Sequence, residues 1–204
     1  MIPNDDVNFF NETLQIIEDR RSIRLFTKEE VPEDHIHRIL RAANQAPSAH
    51  NQQSWRFLIL KNQKKQGLSH LVTSKSSDFP RPASVLLRMA ARSILGAPVV
   101  IAITNTGDLI RHGIKLFKVE KEMARDFFRT MEIQSSAAAV ENLVLAATSL
   151  GLATVWLGIL YLIKDDVLQF LEEPKGEFMA VGLLPLTPRP ISPILLRDRM
   201  RGVP

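Results

Sequence analysis

The residues from Ser135 to Gly158 read S-S-A-A-A-V-E-N-L-V-L-A-A-T-S-L-G-L-A-T-V-W-L-G. Small and apolar residues recur at helical spacing as far as Leu150, which predicts a buried helix that another backbone can approach closely. Gly151 is a typical helix end, and the residues at 153–156 predict a short strand. The uncharged run 143–163 has the length of a membrane span, but its Thr, Ser and Gly residues favour a buried helix, turn and strand. We therefore expect no membrane segment.

Helices and strands follow one another in mixed order around this stretch. Further helices are predicted from Asp5 or Asp6, with Val7, Phe10, Leu14 and Ile17 inward, and after Pro32, with Ile36, Ile39, Leu40 and Ala43 inward. Weaker helical patterns lie near 85–94 and 164–171, and 115–129 is predicted to be a charged helix or a mobile segment. Strands are predicted at 55–60, 99–104 and 177–184. Because helices and strands do not alternate regularly, we expect an α+β fold rather than a doubly wound sheet.

Length and composition limit the classes of function. The 204 residues fit one domain, 1–204, with 45% hydrophobic and 24% charged residues. The net charge of +4 is too small to indicate a nucleic-acid binder, so we expect no nucleic-acid partner. The chain has no cysteine, which excludes disulfides, thiolate metal sites and cysteine nucleophiles and fits a reducing compartment. The N-terminus lacks the basic and apolar regions of a signal peptide, so a cytoplasmic protein is expected.

The usual signatures of phosphate loops and metal sites are missing from the sequence. Neither G-x-x-x-x-G-K-[ST] nor G-x-G-x-x-G occurs. His35 and His37 are two residues apart on a predicted helix, point to different faces and are not expected to share a metal ion. No Ser/His/Asp grouping follows a recognisable pattern. This scarcity of acid–base groupings is typical of a protein whose reactivity resides in a bound cofactor.

Three motifs carry candidate binding groups. The run 20–26, R-R-S-I-R-L-F, has three arginines whose forked donors suit a phosphate, although a solvated basic turn would look the same. The run 46–57, A-P-S-A-H-N-Q-Q-S-W-R-F, is dense in amide and hydroxyl groups that suit the polar edge of a heterocycle or, more simply, a helix end and a turn. Gly158, after the short strand, would leave backbone N–H groups accessible to a ligand.

Taken in this order, the three motifs resemble the FMN-dependent nitroreductase family. The pattern consists of R-R-S-I-R-x-F, then A-P-S-x-x-N-x-Q-x-W-R-F about 25 residues later, and finally G-L-x-T-x-W-L-G at the end of the late helix. The resemblance covers nearly the whole chain. It implies a central, mostly antiparallel sheet flanked by helices, and an intertwined homodimer with FMN at the interface. The Pro-rich segment 185–204 would extend over the partner subunit.

The resemblance also implies which residues hold the cofactor. Arg20, Arg21, Ser22 and Arg24 would hold the FMN phosphate and the pyrimidine edge of the ring, Pro47, Ser48, Ala49 and Asn51 would reach the flavin from the opposite subunit, Leu157 and Gly158 would place a backbone N–H at flavin N5, and Arg197 and Arg199 would complete the phosphate site. The exact contacts of the last two arginines stay open. No protein side chain is expected to be catalytic, and no metal is expected.

The implied activity is an oxidoreductase that takes hydride from NADH or NADPH and reduces a small organic acceptor, nitroaromatic or quinone-like, by a ping-pong mechanism. Acceptor choice would depend on residues 61–95 and 105–129, where Phe117, Phe127 and Phe128 either form an apolar lid or only stabilise helix packing. Two alternatives remain: a specialised FMN enzyme of the same fold, for example a dehalogenase, or a flavin- or nucleotide-binding protein without turnover.

Overall fold

A computed structural model describes residues 11–173 and 177–184. Seven α-helices occur in these ranges: α1 (Glu12–Asp19), α2 (Glu33–Ala43), α3 (Asn62–Lys75), α4 (Ala83–Gly96), α5 (Asp108–Leu116), α6 (Lys121–Ser149) and α7 (Lys164–Phe170). The strands of the described part are β1 (Trp55–Leu60), β2 (Val99–Asn105), β3 (Val155–Trp156) and β4 (Glu177–Leu184). Short 3₁₀ turns span Ala49–Asn51, Ser76–Asp78 and Gly158–Ile163.

The strands form one antiparallel sheet in the order β1-β2-β4-β3. Trp55 pairs with Asn105 at one end of β1, and Trp156 pairs with Gly182 on β4. Beyond β3, Ser22 forms a parallel bridge with Thr154, and the Ile23 N–H donates to the Thr154 carbonyl at 2.9 Å. Within the described residues, the sheet therefore runs from β1 on one side to the Arg-rich turn beside β3 on the other.

The sheet lies between two layers of helices because side chains alternate along each strand. On one face, Val100 and Ala102 pack in a cluster with residues of α3, α4 and α7. On the other face, Ile101 and Ile103 pack in a cluster with residues of α2 and α6. Every residue of β2 is buried, as expected for a central strand covered on both sides. This arrangement confirms the predicted α+β class with a mostly antiparallel sheet.

Several predicted elements are confirmed within a residue or two. β1 and β4 have the predicted bounds, and α2 follows Pro32 with Ile36, Ile39 and Ala43 buried. Residues 143–163 form a helix end, a turn and β3, as expected, and a 3₁₀ turn follows. No helix in the described ranges has the length and apolar character needed to span a membrane.

Three predictions about helices are wrong. The first helix begins at Glu12 rather than near Asp5 or Asp6, because the Asn11 side chain accepts a hydrogen bond from the Leu14 N–H and caps it. Leu14 and Ile17, predicted to face inward, are exposed in the single chain.

The other two errors concern α6 and α3. The predicted helices near 115–129 and 135–150 are largely one 29-residue helix, α6, because no Gly or Pro interrupts the chain after Glu120 caps it. The helix α3 was missed because its sequence is mostly polar and buries only Leu68, Ser69 and Val72. The predicted extension 185–204, with Arg197 and Arg199, lies outside the described residues.

Candidate functional site

The Arg-rich turn is held beside β3 by backbone pairing. Arg20 is the C-terminal cap of α1, and the bridge between Ser22 and Thr154 fixes the chain that follows. This places the first and third sequence motifs next to each other on the same edge of the sheet. Residues 153–156, predicted as a strand, thus hold the Arg-rich turn in place by backbone pairing.

A cavity of about 160 Å³ opens where these two motifs meet. Its lining consists of Arg24, Leu86, Met89, Ala90, Ser93, Trp156, Leu157, Gly158 and Ile159. The structure therefore brings together Arg24, Leu157 and Gly158, three of the residues predicted to bind the cofactor. The lining is mostly apolar and has one fixed positive charge. Pockets for cofactors and drug-sized ligands have volumes of roughly 300–1,000 Å³, so this cavity is smaller than such pockets.

Gly158 presents bare backbone to this cavity. No atom lies within 4 Å of the position that a Cβ would occupy there. Gly158 is also the first residue of the 3₁₀ turn Gly158–Ile163, and backbone N–H groups at the start of a helical turn have no acceptor within it. A planar group in the cavity could therefore approach this backbone closely.

The arginines of the first motif differ in their surroundings. Arg24 is exposed and, among the described residues, forms no hydrogen bond or ion pair, so its guanidinium can meet an anion. Arg21 donates from Nη1 to the Glu18 carbonyl and, at 2.8 Å, to the Arg20 carbonyl. These bonds satisfy carbonyl groups at the end of α1, so Arg21 is engaged with its own backbone. Arg20 is half-buried, and the Ser22 side chain is exposed.

One wall of the cavity was not found from the sequence. Leu86, Met89, Ala90 and Ser93 all lie on α4, a helix predicted only as a weak pattern. Their i, i+3, i+4, i+7 spacing is the signature of one helical face, and Leu86 and Met89 remain more than 40% exposed. The spacing itself was the signal in the sequence, whereas the exposure that distinguishes a cavity wall from a core face is a property of the folded chain.

The loop that contains Pro47, Ser48, Ala49 and Asn51 lies at the opposite edge of the sheet, before β1. The Ser48 Oγ accepts a hydrogen bond from the Gln53 N–H at 3.0 Å, and the Ala49 N–H donates to the Ser135 Oγ of α6 at 3.0 Å. The Ala49 N–H is therefore not free to bind a ligand. Pro47 and Asn51 are exposed.

The backbone of this loop is unusual. His50, Asn51 and Gln53 have φ values of 54°, 53° and 47°, in the left-handed region that side chains other than glycine seldom adopt. Residues held in this conformation cluster at binding sites and active sites, because only a well-determined surrounding structure maintains them. The geometry therefore marks the loop as a functional candidate independently of its sequence motif.

The structure does not bring this loop to the cavity within one chain. Trp55, at the end of the loop, and Trp156, at the cavity, are separated by three strand spacings and by four residues of register. With about 4.8 Å between strands and about 3.3 Å per residue, this amounts to roughly 20 Å. The predicted halves of the site thus lie apart in a single chain.

The helical hairpin of α5 and α6 ends in an aromatic cluster. Phe117 and Phe127 stack with ring centroids 5.9 Å apart, and Phe128 meets them edge-on at 4.9 and 5.1 Å. Phe128 is buried, whereas Phe117 and Phe127 are almost half exposed. The cluster therefore both packs the hairpin and presents two aromatic side chains to the outside.

Among the described residues, no group of three or more His, Asp or Glu side chains is placed to hold a metal ion. His37 is exposed and His35 half-buried on α2. The candidate site thus consists of a cation, exposed backbone, apolar walls and a constrained loop.

Two curated proteins are similar to this chain in sequence. A protein of Archaeoglobus fulgidus, provisionally named NADH dehydrogenase/NAD(P)H nitroreductase, is 30% identical over 148 residues, which cover 72% of this chain and 68% of that protein. An iodotyrosine deiodinase of Thermotoga neapolitana is 40% identical over 57 residues, 28% of this chain and 31% of the deiodinase.

The fold and the family follow from two further matches. The crystal structure of a nitroreductase with bound FMN from Bacteroides fragilis superposes with a TM-score of 0.66 at 23% identity, over 87% of this chain and 89% of that chain. The model of the nitroreductase family matches residues 17–186. This match includes the Arg-rich turn, the constrained loop, α6 and the cavity, so the chain belongs to the nitroreductase family.

Proposed function

We propose that this protein is an FMN-dependent oxidoreductase that takes hydride from NADH or NADPH and reduces a small organic acceptor, nitroaromatic or quinone-like, in a ping-pong sequence. The observation that carries the proposal is the cavity in which Arg24 and the open backbone of Gly158 meet beside an apolar wall. Family membership and the name of the archaeal relative support the same class of enzyme.

The residues present fit FMN. Leu86, Met89, Trp156 and Ile159 provide the apolar surface that a flat heterocycle needs. The exposed guanidinium of Arg24 suits a phosphate or the polar edge of the ring, and the bare backbone at Gly158 suits close approach to a ring nitrogen. When bound, FMN would supply the redox chemistry by accepting a hydride and passing the electrons to the acceptor.

The side chains of this protein would bind and orient the cofactor and shield it from water. Positive charge from Arg24 or Arg20 would stabilise negative charge on the cofactor. Trp156 and Met89 would exclude water from one side of the ring. Because the described cavity offers no carboxyl or imidazole group, no proton transfer by a side chain of the described residues is assigned.

We propose further that two copies of the chain form each site. Trp55, at the end of the loop 47–53, and Trp156, at the cavity, are roughly 20 Å apart in one chain, and the cavity is smaller than a typical cofactor pocket. In a two-fold dimer, Ser48, Ala49 and Asn51 of one copy would complete the cavity of the other. Residues 1–204 would form one domain in which 185–204 extends over the partner, and Arg197 and Arg199 would complete the phosphate site.

A specialised flavin enzyme is the second candidate. The match to an iodotyrosine deiodinase favours reductive dehalogenation as the alternative chemistry. The exposed rings of Phe117 and Phe127 suit an aromatic acceptor of any of these classes, so the acceptor itself has to be found by experiment.

One experiment tests the proposal in steps. FMN is added to the purified protein and its visible absorbance and fluorescence are followed, with the expected result that the protein binds FMN and perturbs both. Anaerobic NADH or NADPH should then bleach the flavin band, and a panel of nitroaromatics, quinones and halogenated phenols should restore it at different rates. A protein that binds no FMN contradicts every flavoenzyme assignment. A protein that binds FMN but is bleached by neither nucleotide is a flavin binder without turnover.

A further inference from the structure

One turn of α6 carries three buried polar side chains. Glu132, Ser135 and Ser136 are all buried, in a helix whose other buried residues, except for the ring of Phe128, are Ala, Val and Leu. Each of the three hydrogen-bonds a different segment of the chain. We call Glu132, Ser135 and Ser136 the polar turn.

Ser135 holds the loop before β1. Its Oγ accepts a hydrogen bond from the Ala49 N–H at 3.0 Å and donates to the Met131 carbonyl at 2.7 Å. The residues that follow Ala49 directly are the left-handed His50 and Asn51. At the far end of the loop, the Thr106 N–H donates to the Ser54 carbonyl at 2.8 Å. The loop is therefore fixed at both ends, once by α6 and once by the residue after β2.

Ser136 holds the end of β2. Its Oγ donates to the Asn105 Oδ1, and Asn105 is fully buried as the last residue of that strand. The chain turns at this point from the sheet into α5, so the bond fixes the origin of the α5–α6 hairpin.

Glu132 holds the start of α5. Its Oε1 accepts a hydrogen bond from the Leu109 N–H at 2.9 Å. The capping residue of α5 is Gly107, which has no side chain, so a carboxyl group from another helix performs the role that Ser, Asn or Asp has at most helix starts. The hairpin that begins here ends at the Phe117–Phe127–Phe128 cluster.

We propose that the polar turn is a positioning device that fixes, from one place on α6, both the loop proposed to complete the partner's flavin site and the hairpin that carries the Phe117–Phe127–Phe128 cluster, which is proposed to contact the acceptor. The identity of the ligands rests on the proposed function, whereas the three hydrogen bonds do not. Buried polar groups cost free energy compared with apolar side chains that fill the same space, and packing alone gives no reason for three of them in one turn. Directional hydrogen bonds to three segments of the chain explain why the three polar side chains are buried there.

The experiment compares variants of the two halves of the device. Ser135→Ala removes the acceptor for Ala49, and Glu132→Met removes the acceptor for Leu109 at similar side-chain length. Glu132→Gln keeps an oxygen for Leu109 and is the conservative rescue. Ser149→Ala is the matched control, because the Ser149 Oγ of α6 donates to the Ala146 carbonyl and, in the described part of the chain, to nothing else.

Amide hydrogen exchange, FMN affinity and acceptor KM are then measured for each variant. Ser135→Ala should speed exchange in residues 48–54 about fivefold or more and raise the Kd for FMN about 3- to 10-fold, since one hydrogen bond to the loop is lost. Glu132→Met should speed exchange in 107–113 and raise the KM for the acceptor by a similar factor, with the Kd for FMN unchanged. Glu132→Gln should leave exchange in 107–113 and the acceptor KM close to those of the unaltered protein. Ser149→Ala should change neither exchange nor the Kd for FMN nor the acceptor KM.

The outcomes separate this inference from the proposed function. If Ser135→Ala leaves exchange in 48–54 and the Kd for FMN as they are in Ser149→Ala, the polar turn does not position the loop and the inference is wrong. It is also wrong if Ser135→Ala lowers the melting temperature without changing either quantity, since the residue would then only stabilise the fold. If the unaltered protein binds no FMN, the proposed function fails, while exchange still reports on the loop and the hairpin. Should Glu132→Met not fold, Ser135→Ala alone decides.

Discussion

The two edges of the sheet carry the two halves of the proposed site, and they are built in opposite ways. At the β3 edge the chain is open: Gly158 faces empty space and Arg24 has no bonding partner in the described ranges. At the β1 edge the loop 47–53 is constrained by a hydrogen bond to the buried Ser135 side chain and holds three residues in the left-handed region. The first half offers charge and apolar surface, and the second offers a fixed shape. In the proposed dimer, the two halves of each site would come from different chains.

The largest expected effect on FMN binding comes from altering a different half of the proposed site in each subunit of a dimer. We expect homodimers of Arg24→Ala and of Asn51→Ala to bind little FMN at a concentration that fills the unaltered protein. A heterodimer of the two variants has one site with both changes and one site with none. It should therefore recover about half of the FMN binding.

Co-expression with two different affinity tags isolates this heterodimer, and flavin fluorescence measures its occupancy. If each site belonged to one chain, every site in the heterodimer would carry one change. No recovery would then be seen, and the comparison between the two edges would lose its functional meaning.

The next effect concerns the charge at the open edge. Arg24→Ala removes a forked charged contact and should weaken FMN binding by about 1.5–3 kcal/mol, or roughly 10- to 150-fold in Kd. Arg38→Ala, which removes an exposed arginine of α2 that pairs with Asp34 at 3.4 Å, is the control and should have no effect. Equal affinities for the two variants would show that the phosphate is bound elsewhere.

A smaller effect separates two glycines. A Cβ at Gly113 of α5 would lie 2.1 Å from the ring of Phe128, which is itself held by Phe117 and Phe127. Gly113→Ala should therefore lower the free energy of unfolding by about 1–3 kcal/mol, as overpacking does in other cores. Gly158→Ala meets no neighbour and should leave stability within about 0.5 kcal/mol.

Urea denaturation and FMN titration of both variants measure this difference. Gly158→Ala should weaken FMN binding although the fold is intact, because the new methyl group enters the space next to the cavity. A loss of stability in Gly158→Ala, or none in Gly113→Ala, would reverse our assignment of the rigid and the open region.

The smallest effect is the pH dependence that Glu132, on the constrained side, gives to the free energy of unfolding. Burial raises the pKa of the Glu132 carboxyl, while hydrogen bonds from Leu109 and its neighbours oppose this shift. A raised pKa in the folded state means that this group favours folding most when it is protonated. That contribution is lost as pH rises from the ordinary glutamate pKa of about 4.3 through the raised value.

Glu132→Gln cannot ionise and removes this dependence. Urea denaturation between pH 4 and pH 7 measures the free energy of unfolding of both proteins. The value for the variant should increase relative to that of the unaltered protein as the pH rises. A constant difference across the range would show that the carboxyl does not titrate differently in the folded state.

The sequence alone predicted much of the local structure, because local structure depends on neighbouring residues. The apolar runs of β1 and β4 and the pattern behind Pro32 gave correct bounds, and the three motifs predicted a family that the match over 17–186 confirms. Where the local signal was weak, prediction failed. The polar helix α3 buries one narrow face, and α6 changes from a charged to an apolar surface without a break.

The candidate site shows the same division. From residue type alone, the arginines of the Arg-rich turn are predicted to bind an anion, and Gly158 is predicted to leave its backbone accessible. The engagement of Arg21 with carbonyl groups of α1, and the bond between Ala49 and Ser135, join residues whose contact no local pattern reveals. The α4 wall of the cavity likewise became visible only when the helix was seen beside β3.

Periodicity, caps and residue types act over a few neighbouring residues, so they were enough to predict β1, β4 and α2 and to point to segments with candidate binding groups. The position of β4 between β2 and β3, the pairing of the Arg-rich turn with the β3 edge and the place of the loop 47–53 at the other edge are seen only in the folded chain. The physical reason is that strand order depends on pairing between distant segments. That pairing depends on how both faces of the sheet are covered, and the sequence of one strand does not contain this information.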